Sequence, residues 1–492
     1  MRSRVSVVVH SDRDHGGFGR CSRSLLLESL GLLMNLSIAS FVAAQTPPGE
    51  PGRPAYRQQR SDENWSFLRD ESQRRDWWDS IKAIPLRLDH EWYITLGGEV
   101  RPFFEFYDNY NWGAGPEDSN GYYLQRLMFH ADLQMAARSR AFIELKSGVE
   151  TGRVGGSRAP DEDRLDVNQA FVDIRIGLEE KNYVTFRLGR HEMDYGDGSL
   201  VSYREGPNVR RGYDGPKVMV HFAPWQVDAF VVRPVKTDPG VFDDGWDNAQ
   251  RFWGVYASAH EPILGILGRP EVYYLGLRRE GVRYDQGVDR ETRHTVGART
   301  INRKGGLEYW LEGTFQFGSF GVGSIRAWKH VQVYTYALER LRLRPRLGLN
   351  FAISSGDKDP RDPDLQTYHP LFPRGLYYGY MDTSGSLNAI VLHPSTMLQL
   401  SKPLSLRTEL FLLWRQQTTD GIYSQPGFFL RTGQQSDAHF VGTLGQVELV
   451  WRLDPHATAT FQVGRYWVGE YFHDTPPARN ITYFSAKVSY KF

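Results

Sequence analysis

The chain has 492 residues, of which 40% are hydrophobic, and its formal net charge is only +1. Its mean hydropathy of −0.49 excludes a bundle of membrane-spanning helices, because each such helix needs about 20 consecutive apolar residues. The near-neutral charge also argues against nucleic-acid binding through a basic surface. A membrane protein of this composition has to be a β-barrel, because the polar lumen face of a barrel lowers the mean hydropathy.

The N-terminal segment has the pattern of an export signal. Several arginines precede an apolar stretch over residues 25–41, and small residues that suit signal peptidase end at Ala44. We therefore predict a signal peptide over residues 1–44. The only cysteine, Cys21, lies in this segment, so the mature chain is expected to have no disulfide, cysteine metal site or cysteine nucleophile.

Residues 45–90 are polar and are rich in proline at first, and they then become aromatic. This composition predicts a periplasmic lead-in to the barrel, with one short helix around residues 71–83. We expect its aromatic side chains, such as Trp77 and Trp78, to pack on the barrel mouth.

From residue 91 to the end, apolar and polar residues alternate in one stretch after another. The last stretch ends at Phe492, with Tyr490, Val488, Ala486 and Phe484 on its apolar face. Such alternation is typical of transmembrane barrel strands, which have one face on lipid and the other on water. Residues 91–492 are therefore predicted to be an all-β, 18-stranded antiparallel transmembrane barrel. The predicted strands are 92–107, 121–137, 140–152, 166–178, 182–191, 216–223, 225–235, 250–259, 270–279, 292–301, 306–318, 322–336, 339–354, 386–400, 404–417, 439–453, 456–468 and 480–492.

The connections between these strands are sorted by length. Most connections after even-numbered strands have a few residues, and 260–269 and 319–321 break the pattern. Those after odd-numbered strands are mostly long, namely 153–165, 192–215, 236–249, 355–385, 418–438 and 469–479. Bacterial barrels have short periplasmic turns and long extracellular loops. The sorting therefore predicts an integral protein of the bacterial outer membrane, in contact with its lipid.

One segment alternates arginines with leucines, and Arg340, Arg342, Arg344 and Arg346 share a face. An arginine on the lipid face costs about 2–4 kcal/mol at the bilayer midplane. These arginines are therefore predicted to face the lumen. Pro345 cannot donate a hydrogen bond to a sheet ladder, so we expect a bulge there.

Other predicted strands also place charges on the face opposite their apolar residues. The further basic candidates are Arg101, Arg126, Lys146, Arg175, Arg187 and Arg407. The acidic candidates are Glu99, Asp132, Glu144, Asp173 and Glu409. Unpaired arginines in a narrow channel would concentrate anions at its constriction. The alternative is that these charges pair across the lumen and stiffen the wall.

Two stretches resemble a known family. One is LGRHEMDYGDG at residues 188–198 with RRGYDG at 210–215, and the other is SSGDKDP at 354–360 with TYHPLFP at 367–373. Both are similar to segments of the alginate-export family of outer-membrane barrels. The resemblance implies an eighteen-stranded monomeric barrel with an electropositive constriction through which new alginate leaves the cell. The functional positions that it implies by strand context are Arg101, Arg126, Arg187, Arg342 and Arg344.

A calcium site is a weak further prediction, because Asp357 and Asp359 offer oxygen ligands at alternate positions. The EF-hand pattern is not met, and a solvated outer loop is the favoured interpretation. No metal site of another kind and no cofactor is predicted, and no nucleophile constellation indicates an enzyme.

The predicted function is an outer-membrane channel that exports an anionic polysaccharide such as alginate, with a possible periplasmic secretion scaffold as partner. The alternative is an anion-selective porin that takes up small organic acids.

Overall fold

The computed structural model describes residues 53–492 apart from 88–90, 119, 178–180, 264, 266–267, 376–377 and 382. The predicted signal peptide over 1–44 lies outside the described residues. None of the helices among the described residues is long and apolar enough to cross a membrane.

Eighteen strands form one closed antiparallel barrel, which confirms the predicted architecture. In chain order they are β1 Trp92–Asp108, β2 Tyr122–Met135, β3 Ser139–Thr151, β4 Asp163–Ile176, β5 Asn182–His191, β6 Tyr213–Phe222, β7 Trp225–Lys236, β8 Gln250–Ala259, β9 Arg269–Tyr284, β10 Gly287–Lys304, β11 Leu307–Phe320, β12 Gly323–Ala337, β13 Arg346–Ser354, β14 Ala389–Gln399, β15 Leu404–Arg415, β16 Phe440–Arg452, β17 Ala457–Val468 and β18 Ile481–Lys491. Each strand pairs with the next, and β18 pairs with β1 from Glu99 opposite Lys491 to Asp108 opposite Thr482. This last pairing closes the barrel.

The period-two pattern decides which way each side chain points. In β2, Arg126 and His130 are buried on the lumen side, whereas Leu127 and Phe129 are 40% and 47% exposed on the lipid side. A shift of one residue in register would exchange the two sets. The register is therefore strongly specified by the cost of placing charges in lipid.

The two ends of the barrel differ in their connections. The end that carries residues 152–162, 192–212, 237–249, 355–388, 416–439 and 469–480 is called the loop end. The opposite end, which carries the start of β1 and the end of β18, is called the turn end; its connections include 136–138, 223–224, 305–306 and 453–456. The predicted difference in length between the two ends is confirmed, and so are its two predicted exceptions, a long connection at 260–268 and a two-residue turn at 321–322. The two-residue turn 285–286 at the loop end is a third exception.

The strand predicted over 339–354 is wrong for its first seven residues. Strand β13 begins at Arg346, and the connection over 338–345 is a turn that is closed by a hydrogen bond from Leu338 N to Pro345 O of 2.9 Å. Leu343 and Arg344 have φ angles of 68° and 41°, which no strand residue adopts. Pro345 forms no bulge; it is the last residue before the ladder, where its missing donor is harmless.

Strands β9 and β10 are longer than the predicted 270–279 and 292–301. They meet at the two-residue turn Asp285–Gln286, and the register shifts between Arg279 and Val282. Charged residues on both faces near this irregularity obscure the alternation in the sequence.

The segment 53–87 contains four short 3-10 helices, Arg60–Asp62, Ser66–Arg69, Glu71–Gln73 and Trp77–Ile81, and a two-residue strand, Ile84–Pro85, that pairs with β1. The structure thus has two short helices where one was predicted over 71–83. Asp76 interrupts the helix because its carboxylate accepts a hydrogen bond from Trp78 N and forms a capping box with Asp79.

Candidate functional site in the barrel lumen

Two long connections of the loop end fold into the lumen. Most residues of loop 192–212 are buried, among them Val201 and Val209. Ser202 N donates to Phe372 O at 2.8 Å, which joins this loop to the second inserted loop, 355–388. Asn208 Nδ2 donates to Gln125 O of the β2 wall at 3.0 Å. The inserted loops therefore bring their own polar groups against the charged face of the wall.

The charges that meet there form one network, which we call the central cluster: Glu99, Arg101 and Arg126 from the wall, and Glu205 and Arg210 from loop 192–212. Arg126 bridges Glu99, at 2.7 Å, and Glu205. Arg210 Nη2 lies 2.5 Å from Glu205 Oε2, and Arg101 Nη1 lies 3.4 Å from Glu205 Oε1. Three guanidinium groups thus surround one loop carboxylate.

The same loop covers these arginines completely. Arg101 also donates to the carbonyl oxygens of Glu205 and Pro207, both at 3.0 Å. Arg101, Arg126 and Arg210 are each 1% exposed. The two predicted wall arginines are thus buried beneath loop 192–212, whose Glu205 side chain is 31% exposed.

The electrostatics of the cluster keep the loop carboxylate charged. Burial raises the pKa of Glu205, but Arg126 and Arg210 lower it more, and its net pKa is about 2. The pKa of Glu192, at the start of the same loop, is shifted in the opposite direction. Burial raises its pKa to about 8, because the nearby Arg210 only partly offsets the loss of solvation.

Two predicted acids pair with arginines of neighbouring strands. Asp132 binds Arg140 through two hydrogen bonds of 2.7 and 3.0 Å. Asp173 binds Arg187 through two of 2.8 Å. Such bidentate pairs are charge-assisted and geometrically specific. At these positions the structure matches the alternative in which charges pair and stiffen the wall.

Lys146 lies among carboxylates rather than in an open channel. Its ammonium is 2.9 Å from Asp163 and 2.8 Å from Asp244. Asp163, Asp166 and Asp244 place oxygens within 4.8 Å of one another. Because the ammonium binds two of these carboxylates, Lys146 serves as the counter-ion of this acidic group.

The remaining strand candidates have varied surroundings. Glu144 accepts hydrogen bonds from Asn168 at 2.7 Å and Gln169 at 3.1 Å. Glu409 interacts with His393 at 3.2 Å and Gln446 at 2.7 Å. The guanidinium of Arg175 lies 3.5 Å from the Tyr183 ring centroid. Arg407 is opposite Glu448 in the β15–β16 pair. Arg346 lies on the lumen face at the start of β13.

Three predicted lumen arginines lie outside the wall. Arg340, Arg342 and Arg344 are exposed in the turn 338–345 at the turn end. Because they lie in a turn and not in a strand, the cost of an arginine on the lipid face does not force them into the lumen. The structure does not bring them near the central cluster.

The two aspartates of the weak calcium prediction bind different groups. The backbone N–H of Asp357 donates to Asp420 Oδ2 at 2.9 Å, and its side chain is buried. Asp359 accepts from Arg361 Nε at 3.0 Å at the surface. Burial and the neighbouring Asp420 raise the pKa of Asp357 to about 7. The two side chains therefore do not form one ligand set.

Sequence reasoning missed Glu205 and Arg210, the loop half of the central cluster. Arg210 stands in the RRGYDG stretch that carries the family resemblance, so a signal for it was present. No sequence pattern indicated Glu205, because the position of a loop side chain depends on where the loop folds. Arg140 was detectable, since it shares a face with Glu144 by period two.

The segment 53–87 contacts the turn end of the barrel from the inside. Arg60 donates to Gly98 O at 2.6 Å and to Phe492 O at 2.8 Å. Lys491, on the lumen face of β18, donates to Gln58 Oε1 at 2.9 Å, and Arg210 of the central cluster donates to Gln58 O at 2.9 Å. The segment thus reaches from the rim to the underside of the central cluster.

Aromatic side chains of this segment meet the end of β18. Trp78 stacks on Phe492 with ring centroids 4.4 Å apart, and its indole N–H donates to Tyr490 at 2.8 Å. Trp77 is 81% exposed. Of the two tryptophans, only Trp78 packs on the barrel.

Comparison with solved structures defines the class of protein. The chain is similar to OccK11 (OpdR) of Pseudomonas aeruginosa, with 13% identity and a TM-score of 0.53, over 81% of this chain and 96% of that one. It is similar to a BenF-like porin from Pseudomonas fluorescens Pf-5, with 9% identity and a TM-score of 0.54, over 81% and 98%. OccK2 (OpdF) of Pseudomonas aeruginosa, solved with glucuronate, has 11% identity and a TM-score of 0.51, over 81% and 96%. The protein therefore has the fold of porin-like outer-membrane barrels.

The sequence defines the family within that class. Residues 92–484 match the family described as alginate export, so the chain belongs to the alginate export family. No curated protein matches the chain.

Proposed function

We propose that this protein is an outer-membrane channel, not an enzyme, through which an anionic polysaccharide, alginate or a similar polyuronate, leaves the cell. The observation that carries the proposal is the central cluster, in which three guanidinium groups surround the carboxylate of Glu205. Arginine binds carboxylates through paired donors. A site that already holds one carboxylate has the chemistry to hold that of a uronate.

In this proposal the loop carboxylate is exchanged for the cargo. Loop 192–212 covers Arg101 and Arg126, so it has to withdraw before cargo reaches them. When Glu205 leaves, the arginines lose their counter-charge and attract an anion. Each uronate carboxylate replaces Glu205 in turn, and exchange among several weak contacts allows movement along the lumen.

The N-terminal segment has a related part in the proposal. Residues 45–90 are proposed to be periplasmic, and the described part of this segment, residues 53–87, contacts the lumen face at Lys491 and Gly98. Cargo that arrives from the periplasm has to displace it. A periplasmic secretion scaffold would act on this segment, and one barrel would suffice for transport.

Channel recordings in planar bilayers test the proposal. The wild-type channel is expected to prefer anions and to be blocked by oligouronates added on the turn-end side. Glu205→Gln should increase the conductance, because it weakens the contacts that hold loop 192–212 in the lumen. The double variant R101Q/R126Q should lose anion preference.

Glu280→Gln is the matched control, since Glu280 is an exposed loop-end carboxylate paired with Arg278 and Arg290. It should behave as wild type. Unchanged conductance in E205Q together with unchanged selectivity in R101Q/R126Q would overturn the assignment of the central cluster.

A second candidate function is uptake of small organic acids by an anion-selective porin. The central cluster holds a single carboxylate, and OccK2, which shares the fold, was solved with glucuronate. Block by monomeric glucuronate from the loop-end side, without block by oligouronates, would favour this function.

A further inference from the structure

The turn end of the barrel carries a cluster of cations that the transport proposal does not use. We call it the basic rim. It consists of Lys304, Arg340, Arg342, Arg344 and Lys402. All five are exposed. Within the part of the chain that the structure describes, none of their side chains makes a salt bridge or hydrogen bond.

Three neighbouring turns hold these cations together. Ala337 N donates to Gly306 O at 2.9 Å, which joins the β10–β11 turn to the turn 338–345. Gln399 N donates to Leu343 O at 2.8 Å, which joins the latter to the β14–β15 turn. The five cations therefore lie on one continuous arc of the rim, where the same turns supply the acid Glu339. This is a strong local excess of positive charge in a nearly neutral chain.

The surface next to the basic rim marks the membrane boundary. Tyr309 and Tyr334 lie opposite each other on the lipid face, with ring centroids 6.5 Å apart, and Tyr336 follows one step nearer the turn. Tyr334 and Tyr336 are 38% and 46% exposed. Tyrosines on the lipid face of a barrel gather at the level of the headgroups. The turn 338–345 is thus at the height of the phosphates or just beyond it.

Apolar side chains lie among the cations. Leu341 is 55% exposed between Arg340 and Arg342, and Leu347 is 47% exposed at the start of β13. Exposed leucines beside arginines would be unfavourable in water, but they suit the boundary between acyl chains and headgroups. A soluble polyanion would use the arginines and leave these leucines in water.

We propose that the basic rim binds anionic phospholipid headgroups of the leaflet at the turn end, with arginine guanidinium groups on lipid phosphates. The inference rests on the proposed outer-membrane location but not on transport. In this proposal, the arginines of the turn 338–345 anchor the turn end of the barrel in the membrane. The lumen arginines of the central cluster remain separate from it.

Native mass spectrometry of the full chain in detergent tests the proposal. Phosphatidylglycerol and phosphatidylcholine are added in separate titrations to wild type and to the triple variant R340Q/R342Q/R344Q. Wild type should retain phosphatidylglycerol in preference to phosphatidylcholine. The triple variant should bind phosphatidylglycerol about a hundredfold more weakly, since each lost cation weakens the attraction about fivefold.

The matched control is R278Q/R290Q/R361Q, which removes three exposed arginines of the loop end and should bind phosphatidylglycerol as wild type does. Glycerol phosphate and an oligouronate are each added alone, to test whether the basic rim binds a soluble anion instead of a lipid headgroup. Equal phosphatidylglycerol binding in wild type and the triple variant would overturn the proposal. So would a loss of oligouronate binding in the triple variant without a loss of lipid binding, which would identify the basic rim as a cargo-docking site. Transport recordings are unaffected by either result, so the two proposals can fail separately.

Discussion

The central cluster and the basic rim are two groups of arginines in opposite physical states. In the central cluster, Arg126 is 1% exposed and bridges Glu99 and Glu205. In the basic rim, Arg342 is exposed in a turn and makes no salt bridge among the described residues. A buried guanidinium depends on its carboxylates, because the loss of hydration has to be offset by pairing. A solvated one needs no partner, so it remains available for a ligand from outside the chain.

Substitutions in the two groups are expected to differ most in their effect on the free energy of unfolding. Replacing Arg126 by methionine removes one of the two arginines that contact both Glu99 and Glu205, the other being Arg210. The free energy of unfolding should fall by about 3–5 kcal/mol, the usual loss when one partner of a buried pair is removed. Urea unfolding of the folded barrel in detergent, followed by tryptophan fluorescence, measures this change. A loss below about 1 kcal/mol would mean that water reaches the cluster and that it is not buried in solution.

A smaller effect is expected for Glu205→Gln, because glutamine still accepts hydrogen bonds but carries no charge. The expected loss is about 1.5–3 kcal/mol, which is typical of a hydrogen bond to a charged group. The effect depends on pH, since the folded-state pKa of Glu205 of about 2 lies below the ordinary value of 4.5.

The contribution of Glu205 to stability is therefore fully present above about pH 4.5 and is lost as the pH falls towards 2. The difference in melting temperature between wild type and E205Q should shrink between pH 6 and pH 3. A difference that stays constant over this range would show that the carboxylate charge does not hold the loop.

The smallest effect is expected at the basic rim. Arg342→Met changes an exposed turn residue whose side chain contacts no acid among the described residues. Its free energy of unfolding should lie within about 0.5 kcal/mol of wild type. The same urea experiment provides the measurement, with R126M as the comparison. A loss as large as that of R126M would contradict the assignment of Arg342 to a solvated turn.

Much of the fold could be predicted from local patterns. Strands β5 and β8 match the predicted 182–191 and 250–259 at both ends. Strand β5 alternates apolar and polar residues cleanly, whereas β8 has aromatic residues on both faces. The β9–β10 hairpin was predicted too short, because the consecutive charged residues Arg278, Arg279 and Glu280 lie on both faces of β9 and interrupt the alternation. The Arg-Leu alternation over 340–344 imitates a strand, but residues 338–345 form a turn that ends at Pro345.

Less of the central cluster than of the fold could be predicted from local sequence patterns. The period of two predicts that Glu99 and Arg101 share a face of β1, and both are buried, as is Arg126 of β2. Their partner Glu205 lies about 80 to 105 positions further along the chain, and no local pattern indicates where a long loop folds.

The sequence by itself determined the closed barrel, its strand number and the sorting of loops and turns, because these follow from the alternation of side chains across a membrane and from chain punctuation. Only the tertiary structure decided which charges are buried together and which remain in water. The physical reason is that pairing depends on distances between segments remote in sequence. The fold alone brings Glu205 against three arginines and leaves Arg340, Arg342 and Arg344 at the rim.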